Sequence, residues 1–180
     1  MSVKENMQLM ASYNQWMNQA IYKAVAELSH DDLVEDKGAF FGSVLGTLNH
    51  NLAADVIWLK RFADHFTELS SLDFVRTLER PAMLNTQLFD DLPLLQSQRF
   101  KLDQLIIAMM NEVTDEMLSS ALMYKNMKGI EYSQRFGFTL QHFFNHQTHH
   151  RGQITTLLFQ MGIDVGATDL ITSIPRMELL

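Results

Sequence analysis

Four of the seven histidines in this 180-residue chain, His142, His146, His149 and His150, crowd into nine residues, and a fifth, His50, stands inside the otherwise apolar stretch Leu48-Asn49-His50-Asn51-Leu52. Imidazoles gathered in this way bind metal ions or move protons. The chain has no cysteine, so a metal held by its own side chains must use His, Asp or Glu, and any thiol chemistry needs a thiol brought in by a cosubstrate. His146 and His150 are four residues apart; on a helix that spacing sets two imidazoles about 40° apart and about 6 Å along one face. Both rings can then reach one ion with bonds of about 2.0–2.1 Å. His142 and Gln153 fall on the same face and His149 lies close by, whereas Arg151 points to the opposite side. A buried His50 needs a partner, and a metal is one such partner. An isolated His-x-x-x-His pair is a weak signal; the clustering and the third histidine give it weight.

The residues that position these groups read as long helices, because only 3 prolines and 8 glycines interrupt the chain. Apolar residues recur at helical intervals over 3–28 (Leu9, Tyr13, Trp16, Met17, Ala20, Ile21, Ala24, Leu28) and again over 40–66 (Phe41, Leu45, Leu48, Leu52, Val56, Leu59, Phe62), with Trp58 on another side. Residues 29–36 are polar and predict a loop. Residues 67–85 hold no sustained period and contain Pro81, which predicts a long connection with one short helical turn. A third helix is expected over 90–113, capped by Asp90 or Asp91, with Pro93 in its first turn. Residues 121–134 predict a short hairpin turning at Gly129. A last helix is expected over 138–161 with Gly162 as its C-cap, followed by an irregular tail over 163–180. Four such helices make a single-domain, all-α bundle about 35 Å long, spanning 1–180. The long link between the second and third helices frees that pair from being antiparallel neighbours.

Thr47-Leu48-Asn49-His50 with Asp55 and Trp58-Leu59, followed by the run His142 to Gln153 with its His149-His150-Arg151-Gly152-Gln153 segment, resembles the DinB/YfiT-like family of metal-dependent enzymes. Tyr13-Asn14-x-Trp16-x-Asn18 is similar to that family's opening motif. The resemblance implies a four-helix bundle in up-down-down-up order, a homodimer, and one divalent metal ion held by His50, His146 and His150. It also implies kinship with transferases and isomerases that use low-molecular-weight thiols, so that the metal would activate a thiol for attack on a small-molecule electrophile. A metal-dependent hydrolase is the related option.

Three neutral imidazoles leave at least one coordination position open, as in catalytic zinc sites. Imidazole suits zinc, nickel, copper and iron; zinc or nickel is expected here. Asp55, Gln153, His142 and His149 are candidates to orient the ligand rings, and Tyr13, Asn14 and Asn18 to reach the open end of the site. Trp16 and Trp58 read as core or rim packing, and Arg151 as a tie from the last helix to a neighbour or the C-terminal tail. No Ser-His-Asp order, phosphate-binding loop or His-Glu-x-x-His accompanies the cluster, so catalytic residues are not assigned. The alternative reading is a non-catalytic, stress-induced metal-binding bundle acting as a binding or interaction protein. A formal charge of −7 with no basic cluster argues against nucleic acid as a partner. No apolar run reaches membrane-spanning length, and MSVKENMQLM lacks the layout of a signal peptide, so the expected location is the cytoplasm.

Overall fold

Each long helix starts where a side chain can satisfy its free N–H groups or where the chain must turn sharply. In the computed structural model, which describes residues 2–176, α1 (Val3–Val25) opens with a capping box in which Ser2 and Glu5 bond each other's backbone N–H. Within the expected loop a short α2 (His30–Val34) forms under its own cap, Ser29. The next long helix, α3 (Val44–His65), begins four residues later than its apolar stripe suggests, because Gly42 at φ 73° turns the chain and Ser43 caps the helix through Gly46 N–H. Phe41, read from the sequence as part of that helix, therefore lies outside it.

The long connection contains a 3₁₀ turn at Ser70–Leu72 and the short α4 (Asp73–Thr77). Asp91 caps α5 (Leu92–Glu112), with Pro93 in its first turn as expected. A one-turn α6 (Asp115–Ser119), which the sequence reading did not anticipate, starts at the Thr114 cap. The expected hairpin forms from β1 (Ala121–Lys125) and β2 (Glu131–Arg135), antiparallel with Ala121 opposite Arg135 and Lys125 opposite Glu131, and Gly129 turns it at φ 79°. The last long helix is α7 (Phe136–Gln160), and Gly162 follows it at φ 82°. The tail is irregular apart from a 3₁₀ turn at Leu170–Ser173; residues 177–180 of the expected tail lie outside the described residues.

The architecture is mostly helical with one small sheet. α1 packs on α5 and α7, and α3 packs on α7 and more lightly on α5. Met17, Ile21, Leu52, Leu59, Ile106, Leu140 and Leu158 are buried between them, each stabilising the fold by about 1.5–3 kcal/mol before conformational entropy is set against it. Phe62 meets Phe136 and Phe143 edge to face at ring separations of 5.2 and 5.9 Å. No described helix is long and apolar enough to cross a membrane.

A chain of buried polar groups runs through this apolar interior. Arg99 of α5 pairs with Asp55 of α3 at 2.5 Å and with Asp103, one turn further along its own helix, at 2.9 Å. Asn14 and Asn18 of α1 donate to Asp103 at 3.1 and 2.9 Å, and Arg151 of α7 donates to Asn14. The four long helices are thus joined by charge-assisted bonds in which every partner is buried.

Candidate metal centre

The Nε2 atoms of His50, His146 and His150 form a near-equilateral triangle with edges of 3.3, 3.0 and 3.2 Å. Nitrogens each about 2.0–2.1 Å from one ion in a roughly tetrahedral shell stand about 3.3 Å apart, so the donor set fits a metal ion. His50 comes from the second turn of α3 and the other two from the middle of α7, where their spacing of four aligns them. His50 and His150 are buried and His146 half-buried.

The outward nitrogens of His50 and His150 fix which tautomer those two rings adopt. His50 Nδ1 lies 2.7 Å from the Leu84 carbonyl, which can only accept, so Nδ1 carries the hydrogen and Nε2 presents its lone pair to the cluster. His150 Nδ1 donates to Gln153 Oε1 at 2.7 Å with the same result, and the Gln153 amide nitrogen lies 3.3 Å from His149 Nε2. Leu84 reaches His50 because Asn49, the preceding residue of α3, holds the long connection. Its amide donates to Phe89 O at 2.9 Å and accepts from the N–H groups of Leu88 and Phe89 at 2.8 and 2.9 Å.

Phe41 stacks on His50 with ring centres 3.7 Å apart and planes 16° from parallel, and meets His150 edge-on at 5.5 Å. Its seat depends on Gly46, where a Cβ would lie 2.2 Å from Phe41 O. Any side chain at that position must push the Phe41 turn away from the histidines.

All three imidazoles are held neutral. Burial, and then the neighbouring His150 and His50, pushes the His146 pKa down to about 3. Burial lowers His50 and His150 as well, against the opposing bonds from Leu84 and Gln153. Three neutral, convergent imidazoles, two of them with a fixed tautomer, are a ready donor set for a divalent cation. The cluster has a consequence for the metal-free protein. In the unfolded chain these rings titrate near about 6.5, above their folded values, so the native state binds fewer protons. Their contribution to stability is fully present above that pH and is lost as pH falls towards about 3, where His146 protonates in the fold. We expect the urea midpoint of chelator-treated protein to fall between about pH 7.5 and about pH 5, and to fall less in the His146→Asn variant. Equal slopes in the two proteins would show that the cluster is not the source.

Other residues singled out in the sequence take different places. Gln153 does orient a ring of the cluster, and His149 bonds Gln153. The exposed His142 lies 6.1 Å from His146 between ring centres and packs edge-on against Trp58 at 5.3 Å. Asp55 does not orient a histidine; its carboxylate is committed to Arg99. Asn14 and Asn18 do not reach the open end of the site either, because both bond the buried Asp103. Tyr13 donates to Thr168 O at 2.6 Å and so ties α1 to the C-terminal tail. Arg151 ties α7 to α1 through Asn14.

Over residues 1–177 the chain matches the family model described as "DinB family". The chain belongs to the DinB family. It is similar to "Protein DinB" of Bacillus subtilis (strain 168), at 28% identity over 158 residues, which cover 87% of this chain and 87% of that protein. The family match takes in the helix of His50 and that of His146 and His150 alike. Sequence reasoning missed three parts of this DinB-family site: the Leu84 carbonyl, the Phe41 stack and the Asn49 brace. Only Asn49 carried a signal, since an amide in an apolar stretch must find partners. A backbone carbonyl 34 residues from its histidine leaves no trace in residue types.

Proposed function

We propose that this DinB-family chain is a metal-dependent enzyme in which His50, His146 and His150 hold one divalent ion, zinc or nickel, and which transfers the sulfur of a low-molecular-weight thiol to a small electrophile. The observation that carries the reading is the triangle of Nε2 atoms, with edges of 3.0 to 3.3 Å and two of the three outward nitrogens bonded to carbonyl oxygens. Such an ion, held by these three histidines, would supply a Lewis acid able to lower the pKa of a thiol or water. The chain's own residues keep the imidazoles neutral and aimed, and Phe41 keeps water from the face of His50. The thiol comes from outside, since the chain has no cysteine. Its proton passes to solvent as the sulfur–carbon bond forms and the leaving group departs with its electron pair.

The up-down-down-up order belongs to the same reading. Lys4 and Gln8 at the start of α1 bond residues 110–111 at the end of α5, which supports opposite directions. Asn49 meets Phe89 near the start of α5, and Ser71, past the end of α3, meets Glu112, which supports a parallel pair. Trp58 with His142 and Phe62 with Phe136 support an antiparallel α3 and α7.

One observation favours the non-catalytic alternative: Phe41 already covers part of the cluster. Elemental analysis of purified protein, followed by a panel of thiols and electrophiles with and without chelator, separates the two. About one equivalent of metal with chelator-sensitive thiol consumption is expected. Metal without turnover would leave a metal-binding bundle, and no metal after reloading would remove both readings.

A further inference from the structure

Beside the cluster, between the hairpin and α7, runs a cavity of about 490 Å³ whose walls include Trp58, Tyr124, Gln134, Arg135, Phe138 and His142. That volume suits a small organic molecule. His142, one of its walls, has its ring centre 6.1 Å from that of His146. Tyr124 Oη donates to Gln134 Oε1 at 2.8 Å, which leaves the Gln134 amide hydrogens free to meet an acceptor.

The groove's charge is the unexpected feature. The chain carries a net −7, yet no aspartate or glutamate lines this cavity. Arg135 lines it and makes no ion pair among the described residues; its guanidinium rests 5.4 Å from the centre of the Phe138 ring. Behind the aromatic wall sits a second cation, Arg61, only 8% exposed, with its guanidinium 4.4 Å from the Trp58 ring and 4.8 Å from the Tyr124 ring. Arg61 likewise has no carboxylate partner among the described residues, and its Nε is buried without a hydrogen bond. Buried arginines are ordinarily paired, as Arg99 is here. Two unpaired guanidiniums at one aromatic groove in an acidic protein make a site of local positive potential that awaits an anion.

We propose that this groove binds the carboxylate end of an anionic small molecule, held at Arg135 with Arg61 reinforcing the charge from behind Trp58 and Tyr124, so that the molecule's other end extends past His142 to the three-histidine cluster. The inference rests on the reading of that cluster as the reacting centre and names the substrate class it receives: a carboxylate-bearing cosubstrate. The cluster supplies the reaction in that arrangement and the groove supplies the selection.

Reduced glutathione and its diethyl ester serve as probes, since esterification removes the carboxylate charges and leaves the thiol. Binding is followed by tryptophan fluorescence, Trp58 being a wall of the groove, on both metal-loaded and chelator-treated protein. The wild type is expected to prefer the acid by about tenfold or more, a preference that weakens with salt and shrinks to near parity in Arg135→Gln. Arg135 is exposed, so that variant keeps its fold. Arg61→Lys, which retains the charge, is expected to keep part of the preference. Equal affinity for acid and ester in the wild type, or an unchanged preference in Arg135→Gln, would overturn the proposal. Because the preference is read without metal as well, its loss is distinguishable from failure of the histidines to hold an ion.

Discussion

Replacing Arg99 with alanine is expected to destabilise the protein by about 3–5 kcal/mol, a large share of the roughly 5–15 kcal/mol that holds a domain of this kind together. The side chains of Asp55 and Asp103 are 1% and 0% exposed, and Arg99 is the cation that ion-pairs with both. Without it, two buried carboxylates lose their compensating charge, and the amides of Asn14 and Asn18 satisfy only one of them. The pH dependence carries a signature. Burial raises the pKa of Asp103 to about 6 even with Arg99 opposing it, and raises that of Asp55 in the same direction. A carboxylate whose folded pKa lies above its unfolded value contributes stability that is present below the unfolded value and lost as pH rises through the folded one. Removing Arg99 pushes both pKa values further up, so the variant should be less impaired at about pH 5 than at about pH 8. Urea unfolding at the two pH values measures this. Replacing the whole triad (Asp55→Asn, Arg99→Met, Asp103→Asn) should recover much of the loss, because the desolvation cost leaves with the charges. A loss below about 1 kcal/mol in Arg99→Ala would mean that water reaches the triad and that it behaves as a surface pair.

That triad bears on the site through neighbouring positions in the chain. Asp55 lies five residues beyond His50 on α3, and Arg151 directly follows His150 on α7. The bonds from Arg99 to Asp55 and from Arg151 to Asn14 therefore pin the two metal-site helices from the interior side, while Leu84 and Gln153 fix their histidines from the other. A three-histidine cluster on separate helices needs this, since a shift of about 1 Å between α3 and α7 would pull His50 away from the two histidines of α7.

The helices and the His146–His150 pair were legible in the sequence because both rest on short spacings, whereas His50, 96 residues from His146, joined them only through the family resemblance. Apolar period gave α1, α3, α5 and α7 to within a few residues, and the gap of four between His146 and His150 became a pair of facing rings. The start of α3 was misread because Phe41 fits the apolar stripe, whereas Gly42 and the Ser43 cap decide the matter locally. Asp55, Asn14 and Asn18 were only candidates for the metal site, and the structure places them elsewhere for a related reason. Residue type announces that a buried polar group needs a partner, and the partner here, Arg99, sits on a helix whose facing could not be read from period alone. The α6 turn and the Leu84 carbonyl depend on how a connection folds back, which no periodic signal records.

Substituting any one of His50, His146 or His150 with alanine is expected to remove bound metal while leaving the helical fold in place. If a three-imidazole site contributes on the order of 10 kcal/mol, losing a third of it corresponds to a drop in affinity of about two to three powers of ten. The fold should survive because each imidazole is neutral and packed, so its removal leaves a small polar cavity rather than an unpaired charge. Gln153→Ala should stand between the wild type and these variants, with affinity lower by about 10–100-fold, since it frees the His150 ring to rotate but removes no ligand. Asp55→Asn should show the reverse pattern, with stability reduced and metal affinity nearly unchanged in whatever protein remains folded, because its carboxylate serves Arg99 and not a histidine. Metal content by elemental analysis, circular dichroism, and the thermal shift on adding metal together read the series. Folded wild type should gain about 4 kcal/mol at a thousandfold excess over Kd, and the histidine variants should gain little. Metal retained at one equivalent in His146→Ala would move the ligand to His142 or His149. The ranking, histidines first, Gln153 next and Asp55 last, separates a site built around an ion from three histidines that merely pack together, because packing alone gives no reason for Gln153 to affect metal affinity more than Asp55.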